Sequence, residues 1–158
     1  MDSSMAERLV GLLYERELTI TTAESCTGGM ISSALVDVPG VSNVLNEAYV
    51  TYSNEAKHRL LGVSEDTLHA YGAVSYETAK EMVTGLADRT GANCAIAVTG
   101  IAGPDGGTKD KPVGTVYAGF YYDGDVEVVR YNFAGDRLSV RQQTVCNVIE
   151  KMIKIIES

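Results

Sequence analysis

"LTITTAESCTGGMISSALVDV", residues 18–38, holds two periodicities and the hand-over between them. "LTITTA" is rich in β-branched residues and predicts a strand. "GMISSALVDV" sets small and apolar residues at helical spacing, and the "PG" at 39–40 stops that helix. Between the two, Glu24, Ser25, Cys26 and Thr27 precede Gly28 and Gly29, so polar and reactive side chains sit on the turn itself. A strand that hands to a helix through a glycine turn is the building unit of α/β folds.

The alternation continues outward from this unit. Upstream, Met5, Leu9, Leu12 and Leu13 recur at helical spacing and predict a helix over 4–16. Downstream, "EAYVTYS" at 47–53 reads as a strand, "NEAKHRLLG" as a short helix closed by Gly62, and "SEDTLHAY" as another. Ser75 can cap a longer helix through "YETAKEMVTGLADRT", which Gly91 ends. "NCAIAVTG" is an apolar, buried strand, followed by the loop "GIAGPDGGTKDKP". "VGTVYAGFYY" and "VEVVRYNF" flank "DGD", a strong hairpin signal. Asp136 then caps a last helix reaching to about residue 156. No linker, repeat or low-complexity tract interrupts the chain. The expectation is one α/β domain over 1–158, a single three-layer domain with a mixed β-sheet and helices on both faces.

Composition narrows the function classes. At 158 residues and 45% hydrophobic, the chain has the size and apolar content for one core. A net charge of -8 argues against nucleic-acid binding, which needs a basic surface, while leaving room for one small anionic ligand. Cys26, Cys94 and Cys146 are odd in number and form no CxxC, so a reducing, cytoplasmic setting is expected. His58 and His69 have no zinc-like partners, and no metal site is expected. The acidic and basic residues of the first turns exclude a signal peptide, and no apolar run is long enough to span a bilayer. The apolar, uncapped ends point to a homo-oligomer.

Four stretches carry candidate chemistry. In "AESCTGG" two glycines allow close backbone approach, and the first amides of the next helix suit a phosphate or an oxyanion. Ser25 and Cys26 are nucleophile candidates there; the plainer alternatives are an N-cap for Ser25 and a small buried filler for Cys26. In "YVTYSNEAKHRLLG", Lys57 precedes Leu60 by three and Leu61 by four, on the face those leucines bury. Burial lowers a lysine pKa and makes it a base; the alternative is a solvated lysine at the helix edge. Tyr52 suits a proton relay, or else packs under a helix. "VTGIAGPDGGTKDKPVG" holds five glycines between apolar strands, a composition that suits ligand contact. Thr99, Gly100 and Gly103 are its substrate-binding candidates, Asp105 is a further hydrogen-bonding group, and Lys109 and Lys111 read as solvated residues of a mobile loop. In "FAGDRLSVRQQ", Arg137 and Arg141 share one face near a helix N-terminus, where cations are unfavourable without an anion. They fit a phosphate, or a surface pair offset by Asp136.

Taken together, "TTAESCTGG", "VTYSNEAK", "YGAVS", "GIAGPDGG" with "KPVGTVY", and "GDR" with a later arginine resemble the C-terminal domain of the competence- and damage-inducible protein CinA. The resemblance covers nearly the whole chain in the family's order. Standalone copies of that domain are nicotinamide-nucleotide amidases. The resemblance therefore implies hydrolysis of the carboxamide of nicotinamide mononucleotide to nicotinate mononucleotide and ammonia, without metal or organic cofactor. It implies Ser25 as nucleophile, Tyr52 and Lys57 as its catalytic partners, and Arg137 or Arg141 at the substrate. Backbone amides of Thr27, Gly28 and Gly29 are the oxyanion candidates. Longer members carry an additional N-terminal domain, whose activity is not expected of this sequence. The rival expectations are a non-catalytic nucleotide-binding module, a thiol amidase acting through Cys26, and an interaction domain with a degenerate site.

Overall fold

The computed structural model describes residues 3–158; Met1 and Asp2 lie outside the described residues. In chain order the elements are α1 Ser3–Glu15, β1 Ile20–Glu24, α2 Met30–Val36, β2 Leu45–Val50, α3 Asn54–Leu61, α4 Glu65–Tyr71, α5 Tyr76–Thr90, β3 Cys94–Gly100, β4 Thr115–Tyr122, β5 Asp125–Asn132 and α6 Arg137–Glu157, with a short 3-10 turn at Val41–Asn43. The strands form one mixed sheet in the order β2-β1-β3-β4-β5. β1 runs parallel to β2 and β3, whereas β3, β4 and β5 are antiparallel neighbours.

From β1 the chain moves to one side through α2 into β2, then returns past β1 through α3, α4 and α5 into β3. Crossovers of one hand that leave a strand in opposite directions put their helices on opposite faces. Accordingly α1, α2 and α6 pack on one face, and α3 and α5 on the other. The period of two along β3 sorts its side chains: Ile96 and Val98 join the first face, Ala95 and Ala97 the second. The second face is thin because α5 lies close. A Cβ at Gly119 would stand 2.7 Å from the Ala79 carbonyl oxygen. The first face is thick, with Leu9, Leu13, Ile31, Leu35 and Met152 fully buried, each contributing about 2 kcal/mol over an exposed position.

Local chemistry sets the boundaries. The Ser53, Ser64, Ser75 and Asp136 side chains cap α3, α4, α5 and α6. Asp123 and Gly124 both take positive φ, at 43 and 97, as the two-residue turn between β4 and β5 requires. Two of the boundaries that differ from the sequence expectation bear on the site. β2 begins at Leu45 and ends at Val50, so residues 51–53 leave the sheet. The reason is downstream: the Thr51 and Tyr52 carbonyls accept from Lys57, and Ser53 starts α3. α2 is shorter than expected and starts at Met30, with Gly29 as its cap at φ 102. Among the described residues no helix is long and apolar enough to cross a membrane.

Candidate active site

The crossovers part at β1, and the crevice beyond its C-terminal end is where open α/β sheets bind ligands. Ser25 is the first residue past β1 and is 8% exposed. Its backbone nitrogen donates to the Val98 carbonyl at 3.1 Å, tying it to β3. The alternation that turns Ala23 toward α5 turns Ser25 toward the same face, where α3 lies.

From α3 comes Lys57, only 1% exposed. Its Nζ stands 3.0 Å from Ser25 Oγ, 2.8 Å from the Thr51 carbonyl and 3.5 Å from the Tyr52 carbonyl. Nζ donates to all three oxygens as an ammonium; once neutral, it keeps two N–H donors for the carbonyls and its lone pair can accept from the serine hydroxyl. No carboxylate forms an ion pair with Lys57 among the described residues. Burial lowers its pKa from 10.5 to about 8. The solvated-lysine alternative therefore does not hold, and neither does the N-cap alternative for Ser25, since Gly29 occupies that place.

Cys26 lines the same cleft and is a free, buried thiol. Burial, with the nearby Glu24 charge adding to it, pushes its pKa up to about 11, so thiolate is scarce at neutral pH.

The cleft has a volume of ≈ 260 Å³. Ser25, Lys57, Tyr52, Thr99, Gly100 and Arg137 all line it, brought together from β1, α3, β3, α6 and the loop after β2. Tyr52 is 62% exposed rather than packed under a helix, and its hydroxyl accepts from Arg137 Nη2 at 3.2 Å. Arg137 Nη1 donates to the Gly103 carbonyl at 2.8 Å. Thr99 is buried, and its hydroxyl donates to the Ala73 carbonyl at 2.8 Å, holding residues 72–75 against the cleft. Gly100 is needed for close approach, because a Cβ there would meet Thr115 O at 2.9 Å.

The remaining sequence candidates do not line the cleft. Thr27 is 0% exposed and donates to Glu24 Oε1. Gly28 N donates to Ser25 O. Arg141 binds the Cys26 and Thr27 carbonyls, both at 3.1 Å, and does not line the cleft. So the two arginines share a helix face yet meet different partners. Asp105 is exposed. Lys111 is not a free loop residue: its Nζ donates to the Tyr71 carbonyl at 2.9 Å and ties the glycine loop to α4.

Glu24 is the residue that sequence reasoning missed. It is fully buried, and its carboxylate accepts from Thr27 Oγ1, Ile31 N and Ser32 N. The start of α2 is thus already occupied and is not offered to a ligand, contrary to the expectation for that helix. No local capping rule points to it, because its donors lie three, seven and eight residues further on.

The comparisons with known proteins agree with this architecture. A model of the CinA C-terminal domain matches residues 2–156. A competence-damage inducible protein of Clostridium perfringens is 51% identical over 96% of this chain and 37% of its own length. One from Clostridium acetobutylicum is 52% identical over 94% of this chain and 36% of its own. The chain thus spans just over a third of the curated relatives it matches. The solved structure of the competence/damage inducible protein CihA from Agrobacterium tumefaciens has a TM-score of 0.94 at 40% identity, covering 99% of this chain and 95% of that one. A CinA-superfamily protein from Klebsiella pneumoniae has a TM-score of 0.94 at 35% identity, covering 98% and 97%. Matched by the family model along nearly its whole length, and this similar to family members in sequence and in fold, the chain belongs to the CinA C-terminal domain family.

Proposed function

We propose that the chain is a serine–lysine amidase that hydrolyses the carboxamide of nicotinamide mononucleotide to nicotinate mononucleotide and ammonia. One observation carries this: a buried lysine, with no acidic partner among the described residues, holds its Nζ 3.0 Å from a serine hydroxyl in a cleft. A serine needs a base to attack, and a lysine brought toward neutrality is one.

In the proposed reaction Ser25 Oγ attacks the carboxamide carbon as its proton passes to Lys57 Nζ. Among the described residues Cys26 N donates to no protein oxygen, and of the turn residues after Ser25 only Cys26 lines the cleft, so its amide is the one left for the oxyanion. Collapse breaks the C–N bond, the proton on Lys57 goes to the leaving nitrogen, and ammonia departs. Water, deprotonated by Lys57, then cleaves the acyl-serine ester to give the carboxylate and restore Ser25. Arg137, exposed at the cleft mouth, is the cation for the substrate phosphate. Tyr52 shares that mouth and orients the guanidinium.

The test is ammonia release from nicotinamide mononucleotide by the purified chain, with Ser25→Ala as blank. Release that depends on Ser25 and survives thiol alkylation supports the proposal. No release from folded protein that still binds the nucleotide would replace it with a non-catalytic nucleotide-binding module.

A further inference from the structure

We infer that Glu24 is a positioning residue: its buried carboxylate holds the turn that carries Ser25 and so keeps Ser25 Oγ on Lys57 Nζ. The inference deepens the amidase proposal and rests on it for its kinetic arm.

Glu24 is the last residue of β1 and is 0% exposed. Oε1 accepts from Thr27 Oγ1 and Ile31 N, both at 2.7 Å, and Oε2 accepts from Ser32 N at 3.0 Å. One side chain thereby ties the end of the strand to the middle of the turn and to the start of α2. On the other side of the turn, Arg141 donates to the Cys26 and Thr27 carbonyls at 3.1 Å. The turn between them passes through two glycines at positive φ, 59 at Gly28 and 102 at Gly29, and glycine by itself imposes little on a backbone. Backbone bonds hold Ser25 N to Val98 O and Gly28 N to Ser25 O, and these side chains add the ties that fix the rest of the turn.

Packing alone does not account for the carboxylate. No lysine or arginine forms an ion pair with it among the described residues. Burying such a group is unfavourable unless donors satisfy it, and a glutamine would fill the same volume. Glutamine differs in one respect: its amide is a donor, and it would face a hydroxyl or backbone N–H that now has an acceptor. At least one of the three ties would be lost and the turn released. Displacing a reacting atom by about 1 Å costs on the order of 10²-fold in rate.

The experiment compares wild type, Glu24→Gln, Thr27→Val and Ser25→Ala in two assays. The first is covalent labelling of Ser25 by an aryl sulfonyl fluoride, read by intact mass; the Oγ–S bond forms, the S–F bond breaks, fluoride leaves and the proton passes to Lys57. The second is kcat and KM for nicotinamide mononucleotide across pH. Glu24→Gln should label ~10-fold or more slowly and lose kcat by a similar factor, with KM within ~3-fold and the acid limb of the pH profile unmoved. Thr27→Val removes one tie and should show a smaller loss of the same kind. Labelling of Glu24→Gln at the wild-type rate overturns the inference, as does a loss confined to KM or explained by a shifted acid limb. If Glu24→Gln does not fold, Thr27→Val decides, and wild-type labelling of that variant overturns it. A wild type that labels at Ser25 but releases no ammonia defeats the amidase proposal, and the labelling rates still decide for Glu24. A wild type labelled no faster than Ser25→Ala overturns the inference, because no activated hydroxyl is there to be positioned.

Discussion

Lys57 and Tyr52 stand five residues apart and line one cleft, yet Lys57 is 1% exposed and Tyr52 62%. The floor of the cleft, where Lys57 meets Ser25, is buried, and each residue there has several fixed partners. The rim, where Arg137 reaches Tyr52 and the Gly103 carbonyl, is exposed, and one hydrogen bond joins its two side chains. A low-dielectric floor shifts a lysine pKa and holds a near-attack geometry; an exposed rim does neither, and suits contacts that re-form around a ligand. Changes at the floor should therefore act on kcat and on pH dependence, and changes at the rim on binding.

The largest expected effect is at the floor. Ser25→Ala and Lys57→Ala should each lower turnover by ~10³-fold or more, and the double variant should be little worse than either, because the two act as one unit. Lys57→Arg should fail similarly, since a guanidinium does not give up its proton. Near-normal turnover in folded Lys57→Arg would break the comparison and leave Lys57 a structural residue.

The next effect is on stability. Lys57 has a pKa of about 8 folded, against 10.5 for a free lysine. Between those pH values the unfolded chain holds a proton that the folded one has released, so stability rises with pH across that window. The rise is about 3 kcal/mol and should be absent in Lys57→Met. The thiols of Cys26 and Cys94, pushed up to about 11 and about 12 by burial, act with the opposite sign in both proteins and largely drop out of the difference. Denaturant melts at pH 7.5 and pH 10 check this, and parallel curves for the two proteins would refute it. The same titration predicts that kcat/KM rises through an acid limb near pH 8, where Lys57 loses its proton.

At the rim, Arg137→Ala should weaken binding of nicotinamide mononucleotide by ~10–100-fold and of the nucleoside without phosphate far less. Equal weakening of both would remove the phosphate role, and Arg141, which grips backbone, would need testing in its place. Tyr52→Phe removes one exposed hydrogen bond to Arg137 and should change kcat/KM by less than ~5-fold. A collapse of kcat in Tyr52→Phe would move Tyr52 from rim to floor in function and make it a proton relay. Smallest of all, chelator should leave ammonia release unchanged; among the described residues no cluster of His, Cys, Asp and Glu suits a metal ion.

Helix and turn boundaries were largely open to reading from the sequence, because caps and tight turns are contacts within a few residues. Ser75 and Asp136 cap the helices that follow them, and the Asp123–Gly124 turn sits where "DGD" pointed. The inward direction of Lys57 also followed from local spacing, since Leu61 one turn on is buried with it. Tertiary structure alone decided the rest. Strand order placed β1 between β2 and β3 and opened the crevice beyond Ser25. The pairing of Ser25 with Lys57 spans 32 residues and depends on which face α3 covers. Arg137 and Arg141 look alike in sequence, but one turn of helix separates a cleft rim from the back of the nucleophile turn. Glu24 reaches forward seven and eight residues, beyond any capping rule, because its strand ends directly beneath α2. Local energetics act over about one helical turn, so they specify elements; which buried polar groups meet is set by how those elements pack.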